Sequence, residues 1–138
     1  MNPVRLIVLA LAGSFALLAQ SAPRAIAEIP FAFELVNQKF AAGGYEFVDL
    51  GHTDGMQLRD SGTKGLAYVL AGRDSVGTKD GATARLVFNK YGDRHFLAEV
   101  WYPNFTRTLM KSKSERALVT SKLVASRQER VIVLARIF

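Results

Sequence analysis

The sequence predicts a mainly β protein: an antiparallel β-sandwich or flattened barrel of about seven or eight strands, with one helix, at about 114–126, before the last strand. Three observations carry that expectation. Short runs rich in Val, Leu, Phe and Tyr are separated by glycine-bearing turns. Two of these runs, on either side of Tyr91-Gly92-Asp93, alternate consistently when folded into a hairpin. One stretch, after Ser112, changes to a helical character.

The N-terminus reads as a targeting segment. Met1 to Arg5 is short and positive, Leu6 to Ala19 is an apolar run of 14 residues broken only by Gly13 and Ser14, and Ala25-Ile26-Ala27 forms an A-x-A site before Glu28. This is the layout of a secretory signal peptide. Residues 1–27 are therefore expected to be removed between Ala27 and Glu28, leaving 28–138 as a single β-rich domain, periplasmic or secreted. A spanning helix needs about 20 apolar residues, so no transmembrane span is expected in the mature chain.

Pro30–Val36 reads as the first strand, Ala41–Gly44 as a turn and Tyr45–Leu50 as the second strand. A loop with His52 and Asp54-Gly55 leads to Met56–Asp60, and Leu66–Ala71 follows the next turn. Gly72–Gly81 is a polar loop. In the hairpin, Ala84–Asn89 is expected to run against His95–Tyr102. Pairing Asn89 with His95 would set Phe88 against Phe96, Leu86 against Ala98 and Ala84 against Val100 on an apolar face, with Arg85 against Glu99 on the other. Ser112 followed by Glu115 is a capping-box pattern for the helix. Arg130–Phe138 reads as the final strand.

Charge is unevenly placed. The chain carries +6. Arg5 and Arg24 lie in residues 1–27, which hold no acid, so the rest carries +4. From Arg107 onward eight basic residues face only Glu115 and Glu129. Such a basic third is suited to an envelope component or an anionic surface, or it is a solvated face with guarded sheet edges. Nucleic acid is not expected, because the aromatics do not interleave with the basic cluster and the chain reads as exported. There is no cysteine, so no disulfide and no thiolate chemistry.

Three blocks of sequence carry a resemblance. They are Ile29-Pro30-Phe31-Ala32-Phe33 with Ala42-Gly43-Gly44-Tyr45-Glu46-Phe47, then Leu86 to Trp101, then Ser112 to Leu118. Together they resemble a family of small secreted proteins abundant in acidobacteria. The resemblance implies export and a β-rich fold, and it brings no site residues. This chain departs from the family pattern at Gly43-Gly44, where one Gly is usual, and at Asn89, where a His or similar residue is common.

Catalytic chemistry has little support in the residues. The two histidines, His52 and His95, fall in separate segments, and a metal site needs three or four protein ligands. No nucleophile elbow, phosphate loop or dinucleotide fingerprint is present. No cofactor is expected. Trp101, Tyr102 and Phe105 beside Arg107 form the candidate interaction surface, an aromatic shelf next to a cation. The expected function is an exported, non-catalytic binding or structural module. The alternative is a small secreted hydrolase without a recognisable motif.

Overall fold

The computed structural model describes residues 22–51, 55–62, 64–75, 83–121 and 128–137. In chain order the elements are β1 (Arg24–Ile29), β2 (Phe33–Leu35), β3 (Gln38–Phe40), β4 (Gly43–Asp49), β5 (Gly55–Asp60), β6 (Gly65–Ser75), β7 (Arg85–Tyr91), β8 (Arg94–Trp101), β9 (Phe105–Leu109), α1 (Lys113–Thr120), β10 (Gln128–Leu134) and β11 (Arg136–Ile137). The strands form one open, mixed and mostly antiparallel 11-stranded sheet. Its main path is β10-β7-β8-β9-β6-β5-β4-β1-β11. β2 attaches in parallel to β8, and β3 pairs with β2.

Two stretches change partner along their length. β6 pairs with β5 as far as Leu70 and with β9 from Ala71 onward. β10 pairs with β7, and beyond Ala135 the chain pairs with β1 as β11. At that break the Ala135 N–H donates to the Ala84 carbonyl at 2.9 Å. The core gathers Phe33, Phe47, Met56, Leu58, Leu86, Phe88, Val100 and Tyr102, all fully buried. Aromatic rings close one end of it: Phe33 meets Phe88 edge-on at 5.7 Å and Tyr45 at 5.1 Å.

Several elements differ from the sequence expectation. The strand expected at Pro30–Val36 is reduced to β2, because the Pro30–Phe31 bend separates it from β1 and a proline has no N–H to give a ladder. Four of the six residues of β1, Arg24–Ala27, fall within the segment expected to be the leader. The turn expected at Ala41–Gly44 shortens to Ala41–Ala42 between β3 and β4, and an additional turn stands at Val36–Asn37, where both residues have positive φ (51° and 59°), as a two-residue I′ hairpin turn requires. β9 fills the stretch leading to the helix, which raises the strand count. The helix is Lys113–Thr120. The rest of its expected span, 122–127, and Phe138 lie outside the described residues.

The β7–β8 hairpin forms, but with a different register. Gly92 takes φ 60° in a two-residue turn, so Tyr91 pairs with Arg94, Lys90 with His95 and Asn89 with Phe96. The register shifts between Phe88↔Leu97 and Val87↔Glu99, leaving Ala98 as the extra residue of a β-bulge. Beyond it Leu86 faces Val100 and Arg85 faces Trp101. Leu97, rather than Phe96 or Ala98, therefore joins Leu86, Phe88 and Val100 in the core. Phe96 is buried separately, edge-on to Tyr91 at 5.8 Å. Alternation gave no warning, because Val87 and Asn89 on the other face of β7 are buried as well.

The bulge makes a direct prediction. Leu97→Ala should destabilise the protein by about 2–5 kcal/mol, and Ala98→Ser by less than about 1 kcal/mol. Urea unfolding of the two variants measures this. The opposite ranking would restore the uniform register.

Candidate apolar binding groove

Of the four residues expected to form an aromatic shelf, three are interior. Arg107 is 0% exposed. Its guanidinium donates from Nε to Asp49 Oδ1 at 2.6 Å, from Nη1 to the Ala71 carbonyl at 3.0 Å and from Nη2 to the Gly51 carbonyl at 2.9 Å. Tyr102 is buried, stacked on Phe105 at 4.7 Å, and its hydroxyl donates to the Phe47 carbonyl at 2.7 Å. Phe105 is capped by the Arg73 guanidinium 4.0 Å above its ring. The shelf is thus corrected to a buried brace joining β9 to β4 and β6. The sequence run suggests a surface cation, whereas position 107 faces inward with Phe105.

Trp101 reaches the surface but is not an open platform. The Arg85 guanidinium lies 4.0 Å over its ring, and its indole N–H donates to Glu99 Oε2 at 2.9 Å. Glu99 is also paired with Arg130 at 3.0 Å. One face of the indole and its only donor are therefore already engaged.

An apolar concavity lies elsewhere. A groove of about 430 Å³ opens between the β2–β3 turn, β6, β8 and the segment from β9 into α1. Leu97 and Leu109 line it, and Val36, Tyr68, Leu70 and Met110 stand exposed around it. Leu70 is 67% exposed and Met110 88%, which is unusual for residues of their kind that share a depression. Tyr68 can lie across β5 because residue 55 is glycine, where a Cβ would collide with its ring.

Polar contacts hold the walls of the groove. Glu34 on β2 accepts from Arg94 Nε at 2.9 Å and Nη2 at 2.7 Å, a two-point contact that ties β2 to β8. Asn37 Oδ1 accepts from the Ser114 hydroxyl at 3.3 Å, joining the hairpin turn to the start of α1. Ser112 Oγ accepts the Glu115 N–H at 3.2 Å, so one half of the capping box is present. Glu115 does not reach back. It is buried, and its Oε2 accepts from Asn89 Nδ2 and from the Tyr91 hydroxyl, both at 2.9 Å. Burial, followed by this contact with Glu115, raises the Tyr91 pKa well above its ordinary value.

The groove was not anticipated, although one signal was present. Leu66, Tyr68 and Leu70 alternate with Ala67, Val69 and Ala71, so both faces of that strand are apolar. His52 and Asp54 lie outside the described residues. Among the described residues no group of three His, Cys, Asp or Glu is arranged to hold a metal ion, and no helix is long and apolar enough to cross a membrane. His95 lies flat on Phe31 at 3.8 Å. No family model, curated protein or solved structure matches the chain.

Two predictions follow from these contacts. Asp49→Ala leaves the Arg107 charge buried and should cost about 3–5 kcal/mol. Replacing both partners by apolar residues, Asp49→Leu with Arg107→Met, should recover part of that loss. Thermal unfolding that ranks the double variant below Asp49→Ala would contradict this.

The second concerns His95, whose pKa is lowered by burial and by Lys90, against an opposing pull from Asp93. The unfolded chain takes up this proton near pH 6.5, and the folded chain only at lower pH. The residue's contribution to stability is therefore present above pH 6.5 and lost as pH falls through its folded pKa. The fall in urea midpoint between about pH 7.5 and about pH 5.5 should be smaller in His95→Gln than in the parent. An equal fall would exclude the effect.

Proposed function

We propose that the protein is an exported binding module that takes an amphiphile, with an apolar body and an anionic head, into the groove beneath Met110. The observation that carries this reading is the concentration of exposed Val36, Tyr68, Leu70 and Met110 around one depression. Its volume suits a small ligand. Exposed Lys111, Lys113 and Arg116 lie within six residues of Met110 in sequence, and we assign the anionic head to them. The carboxylates at the groove, Glu34 and Glu115, are each already engaged, by Arg94 and by Asn89 with Tyr91. That commitment favours binding over acid–base chemistry.

Export rests on the three-part leader pattern in the sequence and places the domain in the periplasm or outside the cell. The partner changes along β6 and between β10 and β11 support a flattened barrel as the closed description of the sheet.

The test uses uptake of N-phenyl-1-naphthylamine and its displacement by dodecanoate or dodecanol. The parent should bind the probe. The exposed-site variant Leu70→Ser with Met110→Ser should lose at least about tenfold in affinity, roughly 1.4 kcal/mol. Lys111→Glu with Lys113→Glu should weaken dodecanoate more than dodecanol, and added salt should do the same. Unchanged uptake in the Leu70/Met110 variant, or none in the parent, would overturn the proposal.

A further inference from the structure

We infer that the leader is removed between Ser21 and Ala22, so that the exported domain begins at Ala22 and keeps all of β1. This inference rests on the reading that the chain is exported. It moves the processed bond away from the Ala25-Ile26-Ala27 pattern, and the reason is what those residues do in the fold.

β1 lies between β4 and β11. A cut after Ala27 would leave only Glu28 and Ile29 of the strand. It would remove the rungs Arg24↔Val48, Ala25↔Phe47, Ile26↔Glu46 and Ala27↔Tyr45 with β4. It would also remove Ala25↔Ile137 and Ile26↔Arg136, which are both of the rungs that hold β11. Ala25 and Ala27 are 0% and 4% exposed within the core. Pro23 also contributes: its carbonyl accepts the Asp49 N–H at 2.9 Å, and Asp49 is the partner of the buried Arg107. Arg24 lies 3.8 Å from Glu46. The domain therefore needs the chain from Pro23 onward.

The same placement accounts for the A-x-A pattern without a peptidase. Residues two apart on a strand share a face, and Ala25 and Ala27 are the small side chains with which β1 packs inward. Upstream, Ala19-Gln20-Ser21 presents small residues at the third and first positions before a bond, at the end of the apolar run. A cut one residue later is less suitable. It would put Gln20 in the third position and Pro23 just after the bond, where the proline ring restricts the residue before it. A leader ending at Ser21 has the length of a secretory signal.

The full chain expressed in a Gram-negative host tests this by N-terminal sequencing and intact mass of the periplasmic product. Ala22 as the first residue is the expected result. Glu28 as the first residue would overturn the assignment while leaving export in place. A product that retains Met1 in the cytoplasm would overturn export and the assignment together. In a second arm, Ala19→Leu with Ser21→Leu enlarges both recognised positions without touching β1. The unprocessed precursor should then accumulate, whereas continued processing at the parental rate would overturn the assignment.

Discussion

The buried pair of Arg107 and Asp49 is the contact on which the sheet's arrangement depends. Arg107 belongs to β9, Asp49 to the end of β4, and the guanidinium also takes the carbonyls of Ala71 and Gly51. One side chain therefore ties the neighbours β9 and β6 to β4, which lies beyond β5 along the sheet path. The Gly51 N–H donates to Asp49 Oδ2 at 3.1 Å, and the Asp49 backbone N–H donates to the Pro23 carbonyl, so the carboxylate is held by Gly51 as well as Arg107 and its backbone is anchored separately. A charge fully removed from water is tolerated only when its donors are satisfied. Position 107 therefore constrains β4, β6 and β9 at once. Tyr102, with its hydroxyl on the Phe47 carbonyl, adds a second cross-link from the end of β8 to β4.

Two other buried acids, Glu115 and Glu34, follow the same logic at the periphery. Glu115 brings α1 down onto β7 through Asn89 and Tyr91, and Glu34 fastens the short β2 to β8 through Arg94. β2 has only three residues and α1 only eight, too few for either to be stable by backbone hydrogen bonding alone. Their position comes from these side chains and from Phe33 and Leu35 in the core. These two elements form walls of the apolar groove, so the groove owes its shape to polar contacts lying behind it.

Much of the β architecture was legible because it depends on local chemistry. Strands β4 and β5, the hairpin around Gly92 and the Ser112 cap are marked by alternation, turn residues and a capping hydroxyl. The long-range features were not legible. Nothing near Arg107 in sequence indicates that Asp49 waits for it in the interior. The bulge at Ala98 leaves no signature when both faces of β7 are buried, so a uniform register looked self-consistent and was displaced. β1 is hard to see in the sequence because its small, inward-facing Ala25 and Ala27 also spell an A-x-A pattern. Glu115 was half legible: its spacing from Ser112 announced the helix start, but its side chain went to Asn89 and Tyr91 instead of the cap. The candidate shelf failed for the same reason as the register. A run of aromatic and basic residues does not say which of them points inward.

Strain at Val36 connects the fold to the groove. A β-branched residue at φ 51° is unfavourable by about 1–3 kcal/mol, whereas Asn37 beside it tolerates its φ of 59°. Glycine or asparagine would relieve the strain at 36 without altering the hairpin turn. Neither would place a branched apolar side chain at the mouth of the depression. The conformation is sustained because its surroundings are fixed independently: Leu35 is buried in the core, Glu34 is held by Arg94, and Asn37 is held by Ser114. The turn therefore stores strain where Val36 lines the same groove as Leu70 and Met110, and that ties the cost to the groove rather than to the stability of the sheet.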